Sequence, residues 1–150
     1  MTEQKSSAAV HIVVGVDGSP ESILALQWAQ TLAPTLGASI MAVSAWRMET
    51  AMGPYEIPDW DPEPIAREIL TDSLAKAFGD DVPEGLISRT FRGQASQVLI
   101  EASEKAKMLI VGSRGHGGFA GLLLGSVSSS CAEHAVCPVL VVHAEKSKRP

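Results

Sequence analysis

Three apolar runs in this chain lack polar alternation: His11-Ile-Val-Val-Gly-Val16, Met108-Leu-Ile-Val111 and Pro138-Val-Leu-Val-Val142. A strand with one face in water alternates apolar and polar residues, so an unbroken β-branched run reads as a strand covered on both sides, as in a parallel sheet. Parallel neighbours cannot be joined by a tight turn and need a crossover, usually a helix. The intervening segments fit that need. Ser19 is a natural N-cap and Pro20 suits a first helical position, after which Ala25, Ala29, Leu32, Ala33 and Leu36 recur on one face. Pro34 predicts a kink or an early end, with Gly37 closing the helix.

The pattern then repeats. Ser39–Val43 reads as a second strand, followed by a surface loop over 46–60 rich in proline and acidic residues. Asp61 as cap and Pro62 open a helix whose stripe includes Ala66, Ile69, Leu70, Leu74 and Phe78. Leu86–Phe91 is a weaker strand. Ala95, Val98, Leu99, Ala102 and Ala106 mark a third helix, and Ser128–Ala135 a fourth. Strands alternating with amphipathic helices imply right-handed βαβ units and hence an α/β, Rossmann-like open parallel sheet with helices on both faces. We expect one domain over 1–150, with 1–9 and 144–150 as flexible ends. Ligands of such sheets sit beyond the carboxyl ends of the strands, at Asp17-Gly18, at Val43-Ser44 and from Gly112 onward.

Composition narrows the function classes. With 45% apolar and 19% charged residues over 150 positions, one core can form without a metal or disulfide staple. Cys131 and Cys137 then read as reduced, packed thiols. No apolar run approaches the ~20 residues of a membrane span, and no targeting segment opens the chain, so a cytoplasmic protein without membrane contact is expected. The net charge of −5 opposes non-specific attraction to nucleic acid, and the aromatic loop with Trp46, Tyr55 and Trp60 has few basic residues, so it reads as a lid or a partner surface. His11, His134 and His143 lack paired ligand spacing and read as surface or satisfied structural histidines; no metal ligand or catalytic residue is assigned.

The segment from Val111 to Ser126 begins at a buried strand and ends at a helix start, two places suited to a phosphate. Glycines there let the backbone approach an anion closely and adopt φ > 0, so that N–H groups converge on phosphate oxygens. Ser126 adds a hydroxyl, and Arg114 or His116 can add charge. It is not a Walker loop, since no Gly-Lys-Ser/Thr follows, and the dinucleotide fingerprint does not open from the first strand. Ser128-Ser-Ser130 lacks a nucleophile elbow, and Ser130-x-x-Glu133 reads equally as a capping box.

The spacing Gly112-x2-Gly115-x9-Gly125-Ser126 resembles the ATP-binding branch of the universal stress proteins, as do Val13-Val-Gly-Val-Asp17-Gly-Ser19 and Cys137-Pro-Val-Leu-Val-Val142. The resemblance spans nearly the whole chain. It implies a five-stranded sheet in order 3-2-1-4-5, with Gly112, Gly115, Gly125 and Ser126 holding phosphates and ribose. Asp17, after Gly15 and Val16, would line the pocket, and the backbone of Val43 would meet adenine. Val111 leads into the motif, and Val127 and Ser128 would reach phosphate by backbone N–H or hydroxyl. ATP is the implied cofactor, with Mg²⁺ bridged through its phosphates in some members. A homodimer through the Val139–Val142 edge strand is also implied, unless the tail from Ala144 covers that edge. The function expected is a nucleotide-dependent stress-response regulator or binding module. The alternatives are a slow ATP hydrolase or self-phosphorylating enzyme, with Ser126 or Ser128 to Ser130 as acceptors, and a nucleotide-free scaffold.

Overall fold

β-branched side chains favour extended backbone, and the computed structural model, which describes residues 9–47, 61–114 and 124–144, places each apolar run in a strand. β1 (His11–Gly15) leads through α1 (Pro20–Leu36) to β2 (Ser39–Trp46), and α2 (Glu63–Phe78) leads to β3 (Ile87–Arg92). The chain continues through α3 (Ala95–Ala102), β4 (Met108–Gly112) and α4 (Ser126–His134) to β5 (Val139–Val142). All neighbouring strands are parallel, in order β3-β2-β1-β4-β5.

Side chains alternate across a strand, and here the alternation feeds two cores. Ile12, Val14, Ile40 and Ile110 pack against α1 and α2, where Leu26, Ala29, Leu70 and Phe78 meet them. Val13, Val43, Leu109 and Val111 face the other way, onto Val98, Leu99 and Cys131 of α3 and α4. Each fully buried Ile or Leu contributes about 1.5–3 kcal/mol of transfer free energy, so covering both faces is what makes the unbroken runs stable. β1 has β2 on one side and β4 on the other. The winding therefore reverses between β1 and β4, which puts a crevice above their carboxyl ends.

Local chemistry sets the entry to that crevice. Ser19, extended at φ −72° and ψ 156°, accepts the Ser22 N–H on its hydroxyl at 3.2 Å and starts α1 with Pro20 in the first turn. Gly18 takes φ 85° and the chain proceeds into a helix, so Asp17-Gly18 is no hairpin turn.

Several boundaries differ from the sequence expectation. α1 runs through Pro34 to Leu36, because the proline falls in the exposed last turn. Gly37 in the left-handed region then closes the helix, with the Ala38 N–H donating to Ala33 O at 3.0 Å. β2 extends beyond Val43 to Trp46, since Ser44, Ala45 and Trp46 find partners in Thr90, Phe91 and Arg92 of β3. α4 starts at Ser126 rather than Ser128, which puts Ser130 inside the helix and rules out the capping-box reading. α3 stops at Ala102, before Ala106. Asp61 does serve α2, its carboxylate accepting the Glu63 N–H at 3.0 Å from just outside the helix. His11 is not a satisfied histidine: its Nε2 is buried without a hydrogen-bond partner among the described residues.

Candidate functional site

The glycine-rich segment is tied at its base. Ser113, directly after β4, accepts two donors on one carbonyl, the Gly125 N–H at 2.6 Å and the Ser128 hydroxyl at 2.7 Å. Its own N–H donates to Val142 O at 2.7 Å. The start of α4 is thereby clamped to the end of β4. Gly125, the N-cap of α4, is extended at φ −82° and ψ 179° and has no side chain with which to cap. The first-turn N–H groups of a helix have no intrahelical acceptor, and the helix dipole adds partial positive charge there. Among the described residues no side chain caps Ser126, Val127 and Ser128, so this turn, held at a fixed place over β4, favours an anion.

The two described glycines of the motif work differently from the expectation. Neither Gly112 nor Gly125 adopts positive φ. A Cβ on Gly112 would lie 2.5 Å from Glu21 Cβ and 3.1 Å from the Glu21 carbonyl carbon. The missing side chain thus lets β4 pack against the first turn of α1. Gly15 has a similar reason, since a Cβ there would lie 2.7 Å from Leu99 Cδ1. Ser128 is 1% exposed and its hydroxyl donates to the carbonyls of Ser113 and Gly125, so it is a buried pin for the turn.

Asp17 stands exposed after β1 and accepts the Ser19 N–H on Oδ1 at 2.9 Å, which shapes the turn into α1. Val16, Val43 and Val111 are buried, and the Val43 carbonyl accepts the Val16 N–H at 2.8 Å within the sheet. Arg114, partly buried, follows Ser113 and already has an interaction of its own. Gly115 and His116 lie outside the described residues, as do Tyr55, Trp60 and residues 145–150.

Ser126 and Val127 also line a cleft of about 610 Å³ that rises above the carboxyl ends of β2 and β3. None of Asp17, Val43, Gly112 and Arg114 lines it. Of its remaining wall, the sequence singles out only Trp46, as part of a lid or a partner surface, and Ser130, as a phosphate acceptor in the enzymatic alternative. Ala45 and Trp46 come from the unexpected extension of β2, while Pro62, Ile65 and Ile69 come from α2. Gly93 and Gln94 sit where β3 turns into α3, and Ser96 and Ser130 add hydroxyls. Ile65 is 49% and Ile69 36% exposed, and both line the cleft. Arg92 stacks over Trp46, its guanidinium carbon 5.8 Å from the ring centroid. Positive φ at Gly93, 145°, is the one signal in this region that a glycine alone reports.

The α2 wall is fastened to the sheet by its first residue. Thr90 Oγ1 donates to Glu63 Oε2 at 2.6 Å, and Arg67 bonds the other carboxylate oxygen at 2.7 Å. The Thr90 hydroxyl and then Arg67 hold the Glu63 carboxyl below the usual carboxylate range. Across the sheet, burial and then the neighbouring Cys137 push the Cys131 thiol up to about 11. Among the described residues no group of three His, Cys, Asp or Glu side chains is placed to hold a metal, and no helix is long and apolar enough to cross a membrane.

Comparison with known proteins gives this geometry a setting. The pattern of the universal stress protein family matches residues 10–143. A universal stress protein of Mycolicibacterium smegmatis is 36% identical over 133 residues, which are 87% of this chain and 45% of that protein. The chain thus spans about half the length of the curated relatives it matches. A universal stress protein solved in complex with cAMP superposes with a TM-score of 0.66 at 29% identity, covering 91% of this chain and 98% of its own. One from Archaeoglobus fulgidus, in complex with dAMP, shares the fold at 17% identity and a TM-score of 0.59, over 90% of this chain and 98% of its own.

Proposed function

Since the chain belongs to the universal stress protein family, we propose that it binds an adenine nucleotide, ATP, and acts as a nucleotide-dependent binding module in a stress response. The observation that carries this reading is the uncapped first turn of α4, clamped to β4 through Ser113 and opening on the cleft. A phosphate chain at that turn receives main-chain N–H donors and the Ser126 hydroxyl, an arrangement that favours anions without a lysine clamp. The apolar remainder of the cleft suits a flat base. The glycine spacing assigns Gly115 to the phosphates as well, and a Mg²⁺ bound with the nucleotide would offset their charge.

Cyclic AMP is a second reading, favoured by the 29% identical structure solved in complex with it. An enzymatic role ranks lower, because Ser128, one of the proposed phosphate acceptors, is buried with its hydroxyl donated to two carbonyls. We also propose pairing of two copies through β5, whose Val139, Leu140 and Val141 are only partly buried; sedimentation at micromolar concentration tests it. Calorimetric titration with ATP, cAMP and adenosine tests the main reading. ATP binding much tighter than adenosine is expected. Equal affinity would remove the phosphate site from the account, and tighter cAMP would make the cyclic nucleotide the ligand.

A further inference from the structure

If the phosphates lie at α4, the base extends into the rest of the cleft, and resting on that reading we propose that Gln94 selects adenine there. The wall is mostly apolar, through Ala45, Pro62, Ile65 and Ile69, so it can cover the faces of a base but cannot tell one base from another. Discrimination needs polar atoms at the base edge. Adenine presents its exocyclic N6–H donor next to a ring-nitrogen acceptor, and the complementary group is a carboxamide, whose oxygen and NH₂ lie side by side in one plane. Among the described residues that line the cleft, Gln94 alone has a side chain of this shape. Arg47 and the Trp46 indole offer donors only, and Ser96, Ser126 and Ser130 offer a single hydroxyl each.

Gln94 is also at liberty to make these bonds. Its backbone is fixed at the N-cap of α3, at φ −68° and ψ 134°, with its carbonyl accepting the Val98 N–H at 2.9 Å. Its side chain does not cap the helix and makes no hydrogen bond to a described residue. The carboxamides of Gln27 and Gln30 are by contrast spent on the carbonyls of Ala77 and Asp81. A fixed main chain with an uncommitted carboxamide at the rim of an apolar cleft is the arrangement expected of a base-reading residue. The same observation makes truncation harmless to the fold, because Gln94→Ala removes no cap and no buried contact.

The test compares ATP with purine riboside triphosphate, which differs only in lacking the N6 amino group. Wild-type protein is expected to prefer ATP about tenfold, the worth of one good base-edge contact. Gln94→Ala is expected to bind the two alike, with an unchanged melting temperature. Gln94→Glu keeps the acceptor for N6–H but loses the donor, so it retains part of the preference while binding both more weakly. A preference that survives in Gln94→Ala overturns the inference and leaves the adenine-nucleotide reading standing. Failure of wild-type protein to bind either triphosphate overturns that reading, and the inference with it.

Discussion

Ser126 is the residue at which the proposed phosphate site can be dissected without unfolding it. It is the first residue of α4, exposed, and follows a glycine that is already extended. Proline favours the first helical position, where the missing N–H costs no intrahelical bond, and it requires an extended residue before it. Ser126→Pro therefore leaves the helix intact and removes two groups, the hydroxyl and the Ser126 N–H. Ser126→Ala removes the hydroxyl alone. A hydrogen bond to a charged group contributes about 1.5–3 kcal/mol, and each 1.4 kcal/mol is tenfold in affinity. Ser126→Pro should thus bind ATP on the order of 10- to 100-fold more weakly than Ser126→Ala. Fluorescence titration gives the affinities and thermal unfolding checks the fold. Equal affinity in the two variants, at equal melting temperature, would mean that the amide does not meet a phosphate and that the reasoning from the uncapped turn is wrong.

Other perturbations separate packing from binding. Gly112→Ala places a Cβ against Glu21 Cβ and backbone, so we expect about 1–3 kcal/mol of destabilisation in urea, unrelieved by Glu21→Ala because the clashing atoms remain. Ser128→Ala removes a buried hydroxyl bond to Ser113 and should cost about 0.5–1.5 kcal/mol of stability, with a smaller effect on ATP affinity than Ser126→Pro. The Cys131 thiol, raised from 9.0 to about 11 in the folded state, stabilises the fold below pH 9 and loses that contribution as pH rises toward 11. The melting temperature should fall across that window in wild-type protein and fall less in Cys131→Ala. Glu63 has the opposite sign: its lowered value contributes stability at neutral pH that is lost on acidification. In Thr90→Val the Glu63 carboxyl should titrate at higher pH, as followed by carbon-detected NMR.

β1 and β4 were legible because burial on both faces leaves its mark along the strand: Ile12 and Val13 go to opposite cores, yet both must be apolar. The start of α1 at Ser19 was legible because capping is local chemistry, whereas the N-cap of α2 is Pro62 and Asp61 bonds the Glu63 N–H from outside it. What escaped is tertiary. Nothing near Gly112 in sequence announces that Glu21, on another helix, lies where a side chain would be. The strand reading stops at Val43 and the loop reading begins at Trp46, but β3 arrives to pair with Ser44 to Trp46, and from that extension Ala45 and Trp46 line the cleft. Ser126 and Val127 line the cleft together with Ala45 and Trp46, while the Val43 side chain is buried in the core and its carbonyl accepts the Val16 N–H.

The most direct test of the account follows the backbone amides of α4 by ¹⁵N NMR as ATP is added. Saturable shifts for Ser126, Val127 and Ser128, larger with ATP than with adenosine at matched saturation, are the predicted result. If ATP binds while these three amides stay where they were, the anion is held elsewhere and the central claim fails.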